Sequence, residues 1–120
     1  MFLVFFFILI YLKEKTFYHI VLPHINPFSF DEEANFGDSV QLTCHVAKGD
    51  LPLKITWLFN EKPLFSHLSI VTTKVGDRLN LLTIPAVTAA NGGTYTCDAS
   101  NLAGHSNHST ILYVNGRCIQ

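Results

Sequence analysis

The chain has 120 residues, which supports one domain built around one core. Hydrophobic residues make up 48% of it and charged residues 14%, and the net charge is -1 with Lys and Arg scattered. That balance excludes the basic surface that phosphate binding needs, so no nucleic-acid partner is expected.

Phe2 to Leu12 (FLVFFFILIYL) is an unbroken apolar run followed at once by Lys13-Glu14-Lys15. It falls short of the roughly 20 residues that cross a bilayer, and its length suits the apolar centre of a secretory signal. No Lys or Arg precedes it, and no small-residue pair spaced for cleavage follows it before Pro23. Residues 1–22 therefore read as an apolar leader, either signal-like or carried over from a misjudged gene boundary.

From Pro23 onward there is no helical periodicity. Short alternating runs are separated by Gly, Asp, Asn and Pro, which predicts an all-β, two-sheet antiparallel sandwich. Pro23–Phe30, with its prolines, reads as an edge strand, and Glu33–Asp38 as a turn. Ser39–Ala47 alternates, with Val40, Leu42, Cys44 and Val46 inward. Lys48-Gly49-Asp50 turns the chain into Leu53–Phe59, where Ile55, Trp57 and Phe59 share a parity. Asn60–Pro63 breaks that run. Ser69–Lys74 is a short strand, and from Asn80 the inward positions are Asn80, Leu82, Ile84 and then Val87. Thr94–Ser100 places Tyr95, Cys97 and Ala99 on one face. A hairpin loop at Asn101–Gly104 leads to a last strand over Ser106–Val114, with Thr110, Leu112 and Val114 inward. Seven or eight strands fit inside residues 23–115.

Cys44 and Cys97 bracket the single tryptophan, Trp57, and Tyr95 stands two residues before Cys97. In a sandwich of about 100 residues, one cysteine from each sheet joins across the core and a buried indole packs on the bond. A tyrosine at that spacing ties down the corner where its strand begins. Closing the loop between these cysteines stabilises the fold by about 4 kcal/mol in the chain-entropy model and needs an oxidising compartment. The third cysteine, Cys118, lies in the unpatterned tail 116–120. It is read as part of a non-native end, with a reactive thiol or an interchain link as the alternatives.

Leu82-x-Ile84-x-x-Val87 followed by Asn91-x-Gly93-x-Tyr95-x-Cys97-x-Ala99-x-Asn101-x-x-Gly104 resembles the intermediate-set (I-set) immunoglobulin signature. Pro23-His24-Ile25-x-Pro27-Phe28-x-Phe30, Lys48–Trp57 and Val75-Gly76-x-Arg78-Leu79-x-Leu81-Leu82 further resemble a domain of the arthropod Down syndrome cell adhesion molecule (Dscam) family. The resemblance spans residues 23–115. It implies an immunoglobulin-like sandwich from a multi-domain, membrane-anchored neuronal and immune receptor that recognises copies of itself in axon guidance and self-avoidance. The partners implied are other immunoglobulin domains, met outside the cell, with the membrane anchor in other parts of a longer chain. One departure is Asn91, where the family usually has aspartate. An amide accepts a backbone hydrogen bond but forms no ion pair, so a slightly weaker corner is expected.

No catalytic set is expected: there is no Gly-x-Ser-x-Gly, phosphate loop or carboxylate pair. The six histidines (His19, His24, His45, His67, His105, His108) lack metal-site spacing, and no metal or cofactor is expected. His105 and His108, around the last hairpin, are read as solvated loop residues rather than a metal or pH-sensitive patch. Asn107-His108-Ser109 is a glycosylation sequon whose asparagine has outward parity. Leu79 and Leu81 have the wrong parity for the core. With Ile70 or Val71 they form an interface candidate, unless a neighbouring domain or the loop at Leu64-Phe65 covers them. The expected function is non-enzymatic cell-surface recognition. The alternatives are an I-set spacer in an intracellular muscle-type filament, with free thiols, and a secreted soluble immune binder.

Overall fold

A computed structural model describes residues 20–64 and 68–115; the apolar run Phe2–Leu12, His19, His67 and Cys118 lie outside the described residues. One four-stranded antiparallel sheet orders β1 (His24–Ile25), β3 (Val40–Lys48), β7 (Leu79–Ile84) and β6 (Val71–Val75). The second orders β5 (Lys62–Pro63), β4 (Lys54–Phe59), β8 (Gly93–Asn101) and β9 (Gly104–Leu112). A short parallel pair, β2 (Ala34–Asn35) with β10 (Val114–Asn115), completes the described strands. The architecture is the all-β sandwich that the alternating runs predict.

Period-two alternation makes the inner faces. On β3, Leu42, Cys44 and Val46 are buried while Gln41 and Thr43 face solvent. Leu82 and Ile84 of β7 meet Tyr95, Cys97 and Ala99 of β8 in one core that also takes in Trp57, Val87 and Leu112. Burying such side chains is the main favourable contribution to folding, at roughly 25 cal/mol per Å² of apolar surface. The register is set by the same alternation, because a one-residue slip on β3 would send Cys44 and Val46 to solvent.

The first part of the chain departs from the sequence reading. Pro23–Phe30 is not one edge strand: only His24 and Ile25 pair, with Lys48 and Val46. The segment beyond them packs between the sheets through aromatic rings. Phe28 meets Trp57 edge-on at 5.5 Å and Phe30 meets Tyr95 edge-on at 5.6 Å. The stretch expected to be a turn, Glu33–Asp38, contains β2, and its Ala34 is buried. Ala34 N–H donates to the Tyr113 carbonyl, which moves the chain from the edge of one sheet to that of the other. Asn60–Pro63 likewise does more than end a strand. Asn60 and Glu61 take positive φ, and Lys62–Pro63 returns along β4. The short strand begins at Val71 rather than Ser69.

Candidate recognition surface

Two cross-braces join the two sheets, and a third brace ties down the chain just before β8. Cys44 of β3 and Cys97 of β8 are disulfide-bonded, with Cα atoms 6.3 Å apart. Beside that bond, Trp57 Nε1 donates to Asn80 Oδ1 at 3.0 Å. Asn80 is the register partner of Cys44, and Trp57 that of Cys97. The covalent and polar links therefore span the same pair of strand rungs. Asn80 gives the indole N–H the partner that a buried donor requires.

The third brace is the corner before β8. Tyr95 Oη donates to the Asn91 carbonyl at 2.6 Å. Burial raises the pKa of this phenol above the ordinary tyrosine value, with a hydrogen bond to Asn91 acting the other way. Both ends of the buried Asn91 amide are used. Its Oδ1 accepts from Thr88 N–H at 2.7 Å, and its Nδ2 donates to the Leu68 carbonyl at 3.0 Å. A carboxylate would accept the first bond but has no proton for the second. The weaker corner expected from Asn91 is thus offset by a bond that aspartate does not make. Gly93, at φ 154°, opens β8 where a Cβ would stand 2.7 Å from Asn60 Oδ1 and 2.9 Å from the Phe59 ring. A side chain there would displace both.

This braced core presents two outer faces. On the first sheet, Leu79 and Leu81 point away from the core and are half-buried by their neighbours. Leu79 lies between His45 and Val75, and Leu81 between Thr43 and Thr73. Val71, at 52% exposure, and Val75, at 46%, extend the apolar strip along β6. Of the two residues considered for this strip, Val71 belongs to it, whereas Ile70 packs against the core. Leu64 also packs against the core, and Phe65 lies outside the described residues. No Asp, Glu, Lys or Arg occupies an outward position in the paired rows of β3, β7 and β6 among the described residues.

The second sheet's outer face is mostly polar, with Leu58 and Ile111 as its apolar members. Thr56, Asp98 and Asn107 lie on one rung, and Leu58, Thr96 and Ser109 on the next. The Thr96 and Ser109 hydroxyls are 2.6 Å apart and hydrogen-bonded. Asn107 is exposed on β9. His105 and His108 are on strand β9 rather than in a loop, and they face opposite ways. His105 Nδ1 is 3.5 Å from Asp98 Oδ1 on the outer face, whereas His108 stacks edge-on against Phe28 with its Nε2 2.9 Å from the Phe28 carbonyl oxygen. Among the described residues no group of three or more His, Cys, Asp or Glu side chains is placed to share a metal ion. No helix among them is long and apolar enough to cross a membrane.

At one end of the sandwich, the chain is tied down ahead of Pro23. Val21 N–H donates to Asp50 Oδ2, and Asp50 N–H donates back to the Val21 carbonyl. Asn101 Nδ2 donates to both the Val21 and Asp50 carbonyls, at 2.7 and 3.0 Å. Asn101 and Asp50 hold this point through their amide and carboxylate groups, which reading the chain by strand parity did not single out.

Comparison with known proteins decides the family. The model of the immunoglobulin domain matches residues 23–101. The chain belongs to the immunoglobulin domain family. It is homologous to Dscam immunoglobulin domains: 40% identical over 98 residues to the cell adhesion molecule Dscam1 of Drosophila melanogaster, covering 80% of this chain. It is 38% identical over 95 residues to Dscam2 of the same organism, covering 79% of this chain. It spans only 5% of the length of each of those relatives. Among solved structures, the Dscam1 Ig7 domain (isoform 5) superposes with a TM-score of 0.75 at 37% identity, covering 78% of this chain and 96% of that one. A titin I-band fragment, I67–I69, superposes with a TM-score of 0.69 at 32% identity, covering 77% of this chain and 32% of that one.

Proposed function

We propose that this immunoglobulin domain is a non-enzymatic recognition module of a Dscam-like cell adhesion receptor, displayed outside the cell as part of a longer, membrane-anchored chain. It binds other immunoglobulin domains, copies of itself foremost, through the outer face of the first sheet. The service it performs is recognition in neuronal wiring, axon guidance or immunity. The observation that carries this reading is the strip of Val71, Val75, Leu79 and Leu81 on a face without full charges. Depletion of charge at the centre of a contact and contiguous exposed apolar surface are what protein interfaces present. Homology to domains of cell adhesion molecules supports the same class of partner. A two-fold contact between copies needs a self-complementary patch, and a strip of one chemistry meets that condition.

Sedimentation over a concentration series tests it. The purified chain is expected to dimerise. Leu81→Lys is expected to weaken self-association at least tenfold, whereas Thr56→Lys on the other sheet leaves it unchanged. A chain that stays monomeric throughout, or a Leu81→Lys variant that associates as wild type does, overturns the reading.

The titin likeness favours a second reading, a spacer in an intracellular filament. Peptide mass analysis of non-reduced protein from its native cells separates the two. A Cys44–Cys97 bridge supports the receptor, and free thiols support the filament.

A further inference from the structure

The edges of the two sheets are protected unequally. A long free strand offers unpaired N–H and C=O groups to any other chain, and natural sheets blunt such edges with shortness, proline or charge. Edge strand β1 has two residues and is flanked by Pro23 and Pro27. Edge strand β5 is Lys62–Pro63. Edge strand β6 has five residues and includes Lys74. Edge strand β9 is different: nine residues, GHSNHSTIL, without Lys, Arg, Asp, Glu or Pro. It pairs with β8 rung for rung from Gly93↔Leu112 to Asn101↔Gly104.

The sequon Asn107-His108-Ser109, the only Asn-x-Ser/Thr triplet in the sequence, sits in the middle of that strand. Asn107 is exposed on the outer side with His105 and Ser109, while Ser106 and His108 turn toward the first segment of the chain. Ser106 Oγ donates to the Pro23 carbonyl, and His108 Nε2 lies against that of Phe28. Across the strand, Asn107 faces Asp98, with Thr96 and Ser100 on the outward rungs to either side. These side chains are short, so a bulky group on Asn107 has open space above the sheet.

We propose that Asn107 carries an N-linked glycan, and that this glycan keeps the free edge of β9 from pairing with other chains. The inference rests on the extracellular reading, because the transfer takes place in the secretory pathway. The Nδ2–C1 bond forms as the C1–O bond of a lipid-diphosphate oligosaccharide breaks. The lipid diphosphate leaves with the electron pair, and the amide proton passes to a base of the transferase. The sugar then covers the β9 side of the polar sheet and leaves the Leu79–Leu81 face open.

The test expresses the full chain behind a secretory signal in a glycosylating eukaryotic cell. Peptide-N-glycosidase is expected to shift the band and to convert Asn107 to aspartate in the recovered peptide. Asn107→Gln and Ser109→Ala each abolish the shift. The transfer acts on the nascent chain, so the band in cell lysate answers the question even for a variant that does not fold. A Cys44–Cys97-bridged wild-type chain without sugar at Asn107 overturns this proposal and leaves the receptor reading standing. Free thiols in protein from native cells overturn both. The edge role is read in a Leu81→Lys background, which removes the contact through the other face. There the glycosylated chain is expected to stay monomeric and Asn107→Gln to form larger species. Asn107→Lys, which restores a charge without the sugar, is expected to return to monomer. An Asn107→Gln chain that remains monomeric overturns the edge role.

Discussion

The two outer faces of the sandwich are made by the same strand alternation, yet one is mainly apolar at its centre and the other mainly polar. The first sheet turns Leu79, Leu81, Val71 and Val75 outward among threonines, and the second turns out Thr56, Asp98, Thr96, Asn107 and Ser109, with Leu58 and Ile111 beside them. Inward, both sheets present the same kind of row, Leu42-Cys44-Val46 against Tyr95-Cys97-Ala99. The inner rows are constrained by packing, so they report on the fold. The outer rows are free of that constraint, and on the proposed reading their difference is where recognition is specified. A polar face whose hydroxyls pair with each other and whose carboxylate meets an imidazole gives little reason for a partner to dock. An apolar strip flanked by threonines does.

The largest expected effect breaks what the faces share. Cys97→Ala opens a crosslink between residues 53 apart in sequence and is expected to cost about 4 kcal/mol by the chain-entropy relation. Urea denaturation measures it, and both faces are lost together. Next comes Tyr95→Phe, which leaves the buried Asn91 carbonyl without its donor and is expected to cost about 1–3 kcal/mol. It also changes the alkaline limb. The Tyr95 pKa is raised in the fold, so above about pH 10, where an unfolded tyrosine ionises, the unfolded chain loses a proton that the native state keeps. Stability is therefore full below that pH and falls as pH rises toward the folded value. Tyr95→Phe is expected to flatten this fall in pH-dependent melts. A smaller effect separates the faces: Leu81→Lys reduces self-association at least tenfold, about 1.4 kcal/mol at 25 °C, with little change in unfolding midpoint. The smallest is His105→Ala. Its contact with Asp98 is solvent-exposed, and exposed pairs contribute about 0–1 kcal/mol. Neither association nor stability is expected to move beyond that.

The central strands were legible in the residues because one face of each is buried and the other wet. Gln41-Thr43 against Leu42-Cys44 cannot be read in another register. The outward placement of Leu79 and Leu81 followed from the same parity count. What escaped the sequence lay where burial does not alternate. Phe28 and Phe30 enter the core from a segment with almost no ladder pairing, so their spacing looked like a strand. Ala34, small and set between Glu33 and Asn35, gave no sign of being buried or of joining a parallel pair. The amide chemistry of Asn91 was half visible: its acceptor role follows from its position before the corner. Its donor role depends on Leu68, brought close only by the fold.

Cys44 and Cys97 also decide how the domain answers a pull on its two ends. The chain between them is closed into a loop, so load entering near Val21 and leaving near Asn115 bypasses everything from His45 to Thr96. Only the flanking stretches can pay out, and extension then stops at the sulfur link. In an adhesive contact under tension, such a stop limits how far each domain lengthens, and about half of its β-structure lies within the closed loop that the sulfur link shields.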